Sequence, residues 1–297
     1  MQRRSSGIAR MGAIVITVLG LASAAQGAAP TTEAPCSPAL ARAIPARPQT
    51  APTGMAFVTR VAALSGKLRD AVVQRQVLAG NVPTFLRELV PVTFTGHAAD
   101  GRPLRLTVCV MPDYLAVGTD RDFIRTPLGL PTAARIALRL GFLLPTPKMV
   151  DAIYRQARIR LTPRPMPAGP MMTSTDYVLR HNETVDGQLG AALGKDELVA
   201  GHQKDVVLTN RLRHAPGKVA IYGWHEPDGK PIQPLSTVHV ARYADYSHGI
   251  RLVSATAFVN GKPRPLAEVL QDPGLSALIS SDGPIPDAEA LMASVAK

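Results

Sequence analysis

Between residues 55 and 79 apolar side chains recur at helical spacing: Phe57, Val58, Val61, Leu64, Leu68, Val72, Val73 and Val77. Gly66 and its polar neighbours are expected to divide this run into two helices. Asn81 is a predicted cap for a short helix over 82–89, with Pro83 in its first turn. Residues 91–111 hold two β-rich runs around Asp100-Gly101, a hairpin signal. A short strand is expected over 114–118. Helices are expected over 131–141 and 146–157, each with a proline near its start, then a strand over 159–161. A Pro/Met-rich connection follows and leads to a helix over 174–193.

The last third changes period. Runs at 197–200, 205–209, 219–224, 237–242 and 249–259 read as strands, with turns at Asp228-Gly229 and Asn260-Gly261. Short helices over 266–272 and 288–296 close the chain. Local helices and hairpins without regular βαβ alternation predict an α+β fold: a helical N-terminal half with one β-hairpin, and an antiparallel, β-rich C-terminal half.

Residues 1–27 have the parts of a secretory signal: Arg3, Arg4 and Arg10, an apolar stretch from Met11 to Leu21, then Ala22-Ser23-Ala24 and Ala25-Gln26-Gly27 as small-x-small cleavage sites. A Pro/Ala-rich arm covers 28–53. One α+β domain is expected over 54–297, with a sub-boundary near 163–173. The protein is expected to be periplasmic or secreted, with no transmembrane helix once the signal is removed. Removing the three signal arginines takes the net charge from +11 to +8. That excess suits an anionic envelope polymer or an anionic small-molecule ligand. No zinc-finger spacing, RNA-binding motif or basic heptad is present, so nucleic acid is not an expected partner. The two cysteines, Cys36 and Cys109, suit a disulfide in an oxidising compartment, with two separate thiols as the other reading.

Five of the seven histidines lie between His202 and His248, with the one tryptophan and three of the six tyrosines. His202, Lys204 and Asp205 set an imidazole, an ammonium and a carboxylate within four residues. Tyr222 and Trp224 are expected to share one strand face, as a stacking platform or as core, with His225 on the opposite face. Tyr243, Asp245, Tyr246, Ser247 and His248 form the densest cluster, near His239. Acid/base roles fall to His202, Asp205, His225, His239, Asp245 and His248, and nucleophile or charge-stabilising roles to Ser247 and Lys204. Ligand contacts fall to Tyr222, Trp224, Tyr243, Tyr246 and Arg251. A zinc ion or similar divalent cation held by His202, His225, His239, Asp245 and His248 is a further option, without HExxH, HxH or CxxC spacing to support it. No GxSxG elbow supports a serine nucleophile.

Ser247-His248-Gly249-Ile250-Arg251-Leu252 is similar to the SHGCIRL signature of the L,D-transpeptidases, the YkuD-like enzymes that cross-link peptidoglycan through a cysteine thioester. The cysteine is missing here, so the resemblance implies an envelope context without transpeptidation. The longer tract GHQKDVV…IYGWHEPDGKPIQP…DYSHGIRL resembles an uncharacterised group of exported bacterial proteins and implies no activity. The leading expectation is an exported hydrolase of an envelope or extracellular polymer, with peptidoglycan first. The alternatives are a non-catalytic binding protein with an aromatic platform, and a structural envelope protein whose histidines fill buried polar positions.

Overall fold

The computed structural model describes Gln2 and residues 36–297. The predicted signal, apart from Gln2, and residues 28–35 of the arm lie outside the described residues. Gly66 divides the first helical run as its spacing predicts, giving α1 (Gly54–Val61) and α2 (Gly66–Leu78). Thr53 caps α1 by accepting from the Ala56 amide. The helix expected over 82–89 is a single 3-10 turn, Thr84–Arg87. Asn81 does not cap it. Its side chain is buried and bonds Pro52 O, Gln76 Oε1 and Arg47, so the residue serves tertiary packing.

The Asp100-Gly101 turn joins β1 (Val90–His97) to β2 (Pro103–Val110), paired antiparallel from Val90↔Val110 to His97↔Pro103. A small hairpin of β3 (Ala116–Gly118) and β4 (Phe123–Arg125) follows. Then come α3 (Leu130–Arg139), the two-residue β5 (Phe142–Leu143), α4 (Pro147–Gln156) and β6 (Ile159–Arg160). Proline near the start of α3 and α4 fits positions where a missing N–H costs nothing. Ser174 caps α5 (Thr175–Leu189), which ends at Gly190 with φ 50°.

The C-terminal third contributes β7 (Val199–Ala200), β8 (Lys204–Val206), a one-turn α6 (Arg211–His214), β9 (Ile221–His225) and β10 (Pro231–Ser236). The run expected over 249–259 splits into β11 (His248–Gly249) and β12 (Val253–Val259) in different sheets. Between them Ile250 O and Leu252 O accept from the Leu115 and Met111 amides, which carry the chain across. β13 (Lys262–Pro265), α7 (Leu266–Gln271), α8 (Pro273–Ile279) and α9 (Ala288–Val295) complete the chain. The strand expected over 237–242 reduces to one bridge, Lys218↔Val240.

Among the described residues the larger sheet has the order β1-β2-β12-β13, with β5 also pairing β12. The second sheet runs β10-β9-β8-β11, antiparallel except for the parallel β8/β11 pair. The class is α+β, with most helices towards the N-terminus and most strands towards the C-terminus. The two halves are nevertheless interleaved, because the N-terminal hairpin pairs with β12 through β2. Residues 36–53 are not a free arm: Ala41 and Ile44 are in the core and Cys36 is bonded to Cys109. No helix among the described residues is long and apolar enough to cross a membrane.

Candidate functional site

Regular alternation along β9 would put Tyr222 and Trp224 on one face and His225 on the other. The chain breaks that alternation. Gly223 has φ 107° and Trp224 has φ 60°, the second a conformation that costs a bulky L-residue about 1–2 kcal/mol. Two consecutive left-handed residues rotate the strand. Tyr222 and His225 then meet on one carboxylate, while Trp224 turns inward and is 4 % exposed. Tyr222 Oη donates to Asp151 Oδ1 at 2.8 Å, and His225 Nε2 lies 2.9 Å from the same oxygen. Glycine is favoured at 223 by its φ, and a Cβ there would also press on Val150 at 3.1 Å.

Asp151 comes from α4 with Tyr154 and Arg155, at i, i+3 and i+4 on one helix face. Tyr154 stacks on the His225 ring at 4.6 Å and 14°, and its hydroxyl donates to Glu226 O. The pair opens into a cleft of about 400 Å³ whose rim carries Arg155, Arg160, Asp228 and Lys230. With Asp151 Oδ1 as the acceptor, the His225 proton sits on Nε2. The lone pair of His225 then sits on Nδ1, which no protein group among the described residues engages. Burial, followed by the hydrogen bond and charge of Asp151, pushes the Tyr222 phenol up, so it stays a donor.

A second, buried network lies next to the first and meets it where Asp205 of β8 feels His225. His202 Nε2 is 2.9 Å from Asp113 Oδ1, and Arg125 reaches Asp113 Oδ2 with Nη2 at 2.7 Å and Nε at 3.0 Å. Burial alone would raise Asp113, but Arg125 and then His202 outweigh it and hold the carboxyl well below the usual range. Burial also pushes His202 down against the pull of Asp113, so Arg125 is the charge partner and His202 a neutral donor. Tyr114 donates to Asp205 Oδ2 at 2.8 Å. Asp205 is pushed up to about 6 by burial, against the Arg251 and Tyr114 contacts that favour its charge. Arg251 is 0 % exposed. It donates to Met111 O and Val199 O and lies over the Tyr114 ring. It is therefore a tie between backbone segments and cannot meet a ligand as expected.

A third neighbourhood surrounds β11. Asp245 Oδ1 accepts from the Ser247 amide at 2.8 Å and from Ser247 Oγ at 2.6 Å, and Tyr243 Oη donates to Oδ2 at 3.2 Å. Ser247 is fully buried and its proton goes to a carboxylate with no imidazole bonded to it, so it is not an activated nucleophile. His248 is buried with neither ring nitrogen hydrogen-bonded, and its pKa is lowered, chiefly by burial. His239 stacks on Tyr243 at 4.3 Å, and Lys204 Nζ lies 5.2 Å from the Trp224 centroid. Tyr246 is buried and bonds Met166, so it and Trp224 are core residues and not an exposed platform. The five-residue zinc set is not assembled. His202 belongs to Asp113, His225 to Asp151, and His239, Asp245 and His248 to the third group. Among the described residues no three His, Cys, Asp or Glu side chains are arranged to hold a metal ion.

Sequence reasoning missed Asp151, Tyr154 and Arg155, whose i, i+3, i+4 spacing lies on a helix that also carries Lys148 and Gln156 and so does not stand out. It also missed Asp113, Arg125 and His181. His181, on α5, packs edge-on to Trp224 and Tyr246. Burial, with help from His202 and Arg125, pushes its imidazole down to about 3. A histidine so depressed contributes stability that is present above its unfolded pKa of about 6.5 and lost as pH falls towards 3. His181→Phe is therefore expected to gain about 3 kcal/mol on wild type between pH 7 and pH 4. Urea unfolding of both proteins at the two pH values measures this, and parallel pH dependence would count against a neutral buried His181.

The SHGIRL segment runs through β11, and Cys36 and Cys109 are bonded to each other, the expected disulfide. No family model matches the chain, and no curated protein or solved structure matches it.

Proposed function

We propose that the protein is an exported hydrolase whose site is the cleft at His225 and Asp151. The observation that carries this reading is the His225 Nε2–Asp151 Oδ1 contact of 2.9 Å, between a buried imidazole and a half-buried carboxylate that both line one open cleft. In this reading His225 Nδ1 takes a proton from a water as its oxygen attacks the scissile carbon, and returns that proton to the leaving group. Asp151 orients the ring and stabilises the transient imidazolium, and Tyr222 holds Asp151 in place. Arg155 and Arg160 favour a polymer bearing carboxylates, while Lys230 is paired with Asp228 at 3.3 Å. Peptidoglycan, with its carboxylate-bearing stem peptides, is the first substrate to test. The Cys36–Cys109 disulfide supports a periplasmic or secreted location.

The test is release of soluble fragments from isolated peptidoglycan sacculi, read by chromatography and mass spectrometry. Asp151→Asn and His225→Gln are each expected to slow release about a hundredfold without lowering the melting temperature to the assay temperature. Sacculi that retain the protein but yield no fragments would sink the hydrolase and leave a binding protein. In that case Arg155→Ala/Arg160→Ala should abolish retention while His225→Gln keeps it.

A further inference from the structure

The segment before Tyr243 exposes two valines side by side with a cationic groove. Val238 is 73 % and Val240 59 % exposed, among the largest apolar exposures of the described residues. The segment carrying them is rigid. His239 O accepts from the Val219 amide, Ala241 N donates to Gly217 O, and Lys218 Nζ donates to Val238 O. The Ala241 carbonyl accepts from Leu130 N, which ties it to the start of α3. The valines are thus presented on backbone tied to its neighbours, which lowers the ordering cost of contact.

Beside them is an open groove of about 750 Å³ between the α6 turn and α9. Leu212, Leu291 and Val295 give it an apolar floor. Arg213, Lys218, Arg242 and Lys297 line it, and no aspartate or glutamate does. Cations set around exposed aliphatic side chains fit one occupant better than others. A soluble anionic polymer would use the charges and leave the valines wet. A neutral apolar partner would leave four cations unmatched. A bilayer with anionic headgroups satisfies both, with aliphatic side chains below the headgroups and cations at their level.

We propose that this groove and the Val238–Val240 edge dock the protein on an anionic phospholipid surface. This does not rest on the hydrolase reading, because none of these residues lines the His225 cleft. The test is co-sedimentation of the purified full-length protein with phosphatidylglycerol/phosphatidylcholine vesicles and with phosphatidylcholine vesicles alone. Binding is expected only to the mixed vesicles, and to weaken as salt rises.

Three variants locate the contact, all at exposed or half-exposed positions, and their melting curves should match wild type. Arg242→Glu/Lys297→Glu is expected to weaken binding at least about tenfold, whereas Lys67→Glu/Arg75→Glu, with the same net change on helix α2, should change it less than about twofold. Val238→Ser/Val240→Ser should also weaken binding, by about tenfold. Equal weakening by the two charge-reversed pairs, unchanged binding of the valine pair, or equal affinity for both vesicle types would each overturn the proposal.

Discussion

Reduction of the Cys36–Cys109 disulfide is expected to lower the unfolding free energy by about 4 kcal/mol. The bond closes a loop with a sequence separation of 73 residues. Cross-linking a loop of that length removes about 4 kcal/mol of conformational freedom from the unfolded chain. The folded side changes little, since the segment after Cys36 has its own contacts. Ala41 and Ile44 are buried, Arg47 bonds Asn81 and Gly118 O, and Arg87 donates to Ile44 O. The reduced protein should therefore keep its native circular dichroism while its guanidinium midpoint moves down and its m-value rises, because the chain without the cross-link unfolds to a more exposed ensemble. Cys36 ties to β2, whose neighbours in the larger sheet are β1 and β12, so the loss should appear as one cooperative shift. A shift of less than about 1 kcal/mol would mean that the unfolded chain is already restricted or that the bond strains the fold.

What the sequence could disclose divides at Gly223. Where local period and turn chemistry agree the reading holds at most elements, the helix expected over 82–89 behind Asn81 being an exception. Asp100-Gly101 makes its hairpin, Gly66 divides its helix, and the prolines near residues 131 and 147 start theirs. The readings that fail are those in which tertiary contact overrides period. Val238 and Val240 look like strand residues, yet their segment finds only one bridge and leaves both exposed. The run over 249–259 looks continuous, but Ile250 and Leu252 give their carbonyls to another part of the chain and the strand changes sheet. At the site, a strand of strict alternation would have separated His225 from Tyr222. Two left-handed residues unite them, and nothing in the string IYGWH states that Trp224 is one of the pair. The histidine-rich stretch did hold half of the cleft. The other half, Asp151, Tyr154 and Arg155, lay on a helix that reads as ordinary amphipathic structure. A count of histidines could not reveal that His202, His225 and His248 serve three different neighbourhoods.

Arg125→Met is expected to destabilise the protein by about 3–5 kcal/mol, equivalent to a fall in melting temperature of roughly 6–20 °C for a domain of this size. Arg125 is 1 % exposed and spends its donors on three acceptors: Asp113 Oδ2, Asp186 Oδ1 at 2.8 Å and Asn182 Oδ1 at 3.2 Å. Methionine fills most of the volume, so the cost is mainly electrostatic. Asp113 would remain buried with only the Tyr114 amide and His202 to support it, neither of them a counter-charge, since His202 is itself held neutral by burial. Asp186 is less critical, because its side chain is 30 % exposed and water can replace the arginine. If the uncompensated charge of Asp113 is the cause, Arg125→Met/Asp113→Asn should be more stable than Arg125→Met alone, because an amide needs no counter-charge. A double variant less stable than the single would place the cost in lost packing or in the Asn182 contact instead. The pH dependence separates the two causes again. In wild type the depressed Asp113 contributes stability that is present above the unfolded carboxyl pKa of about 4 and is lost progressively as the pH falls below it. In Arg125→Met that contribution disappears, so the gap between the two proteins should narrow as the pH is lowered from 7 towards 3. Cleavage or binding at the His225 cleft, measured well below both melting temperatures, should be unaffected, because Asp151 and His225 stand on α4 and β9 and take no contact from Arg125.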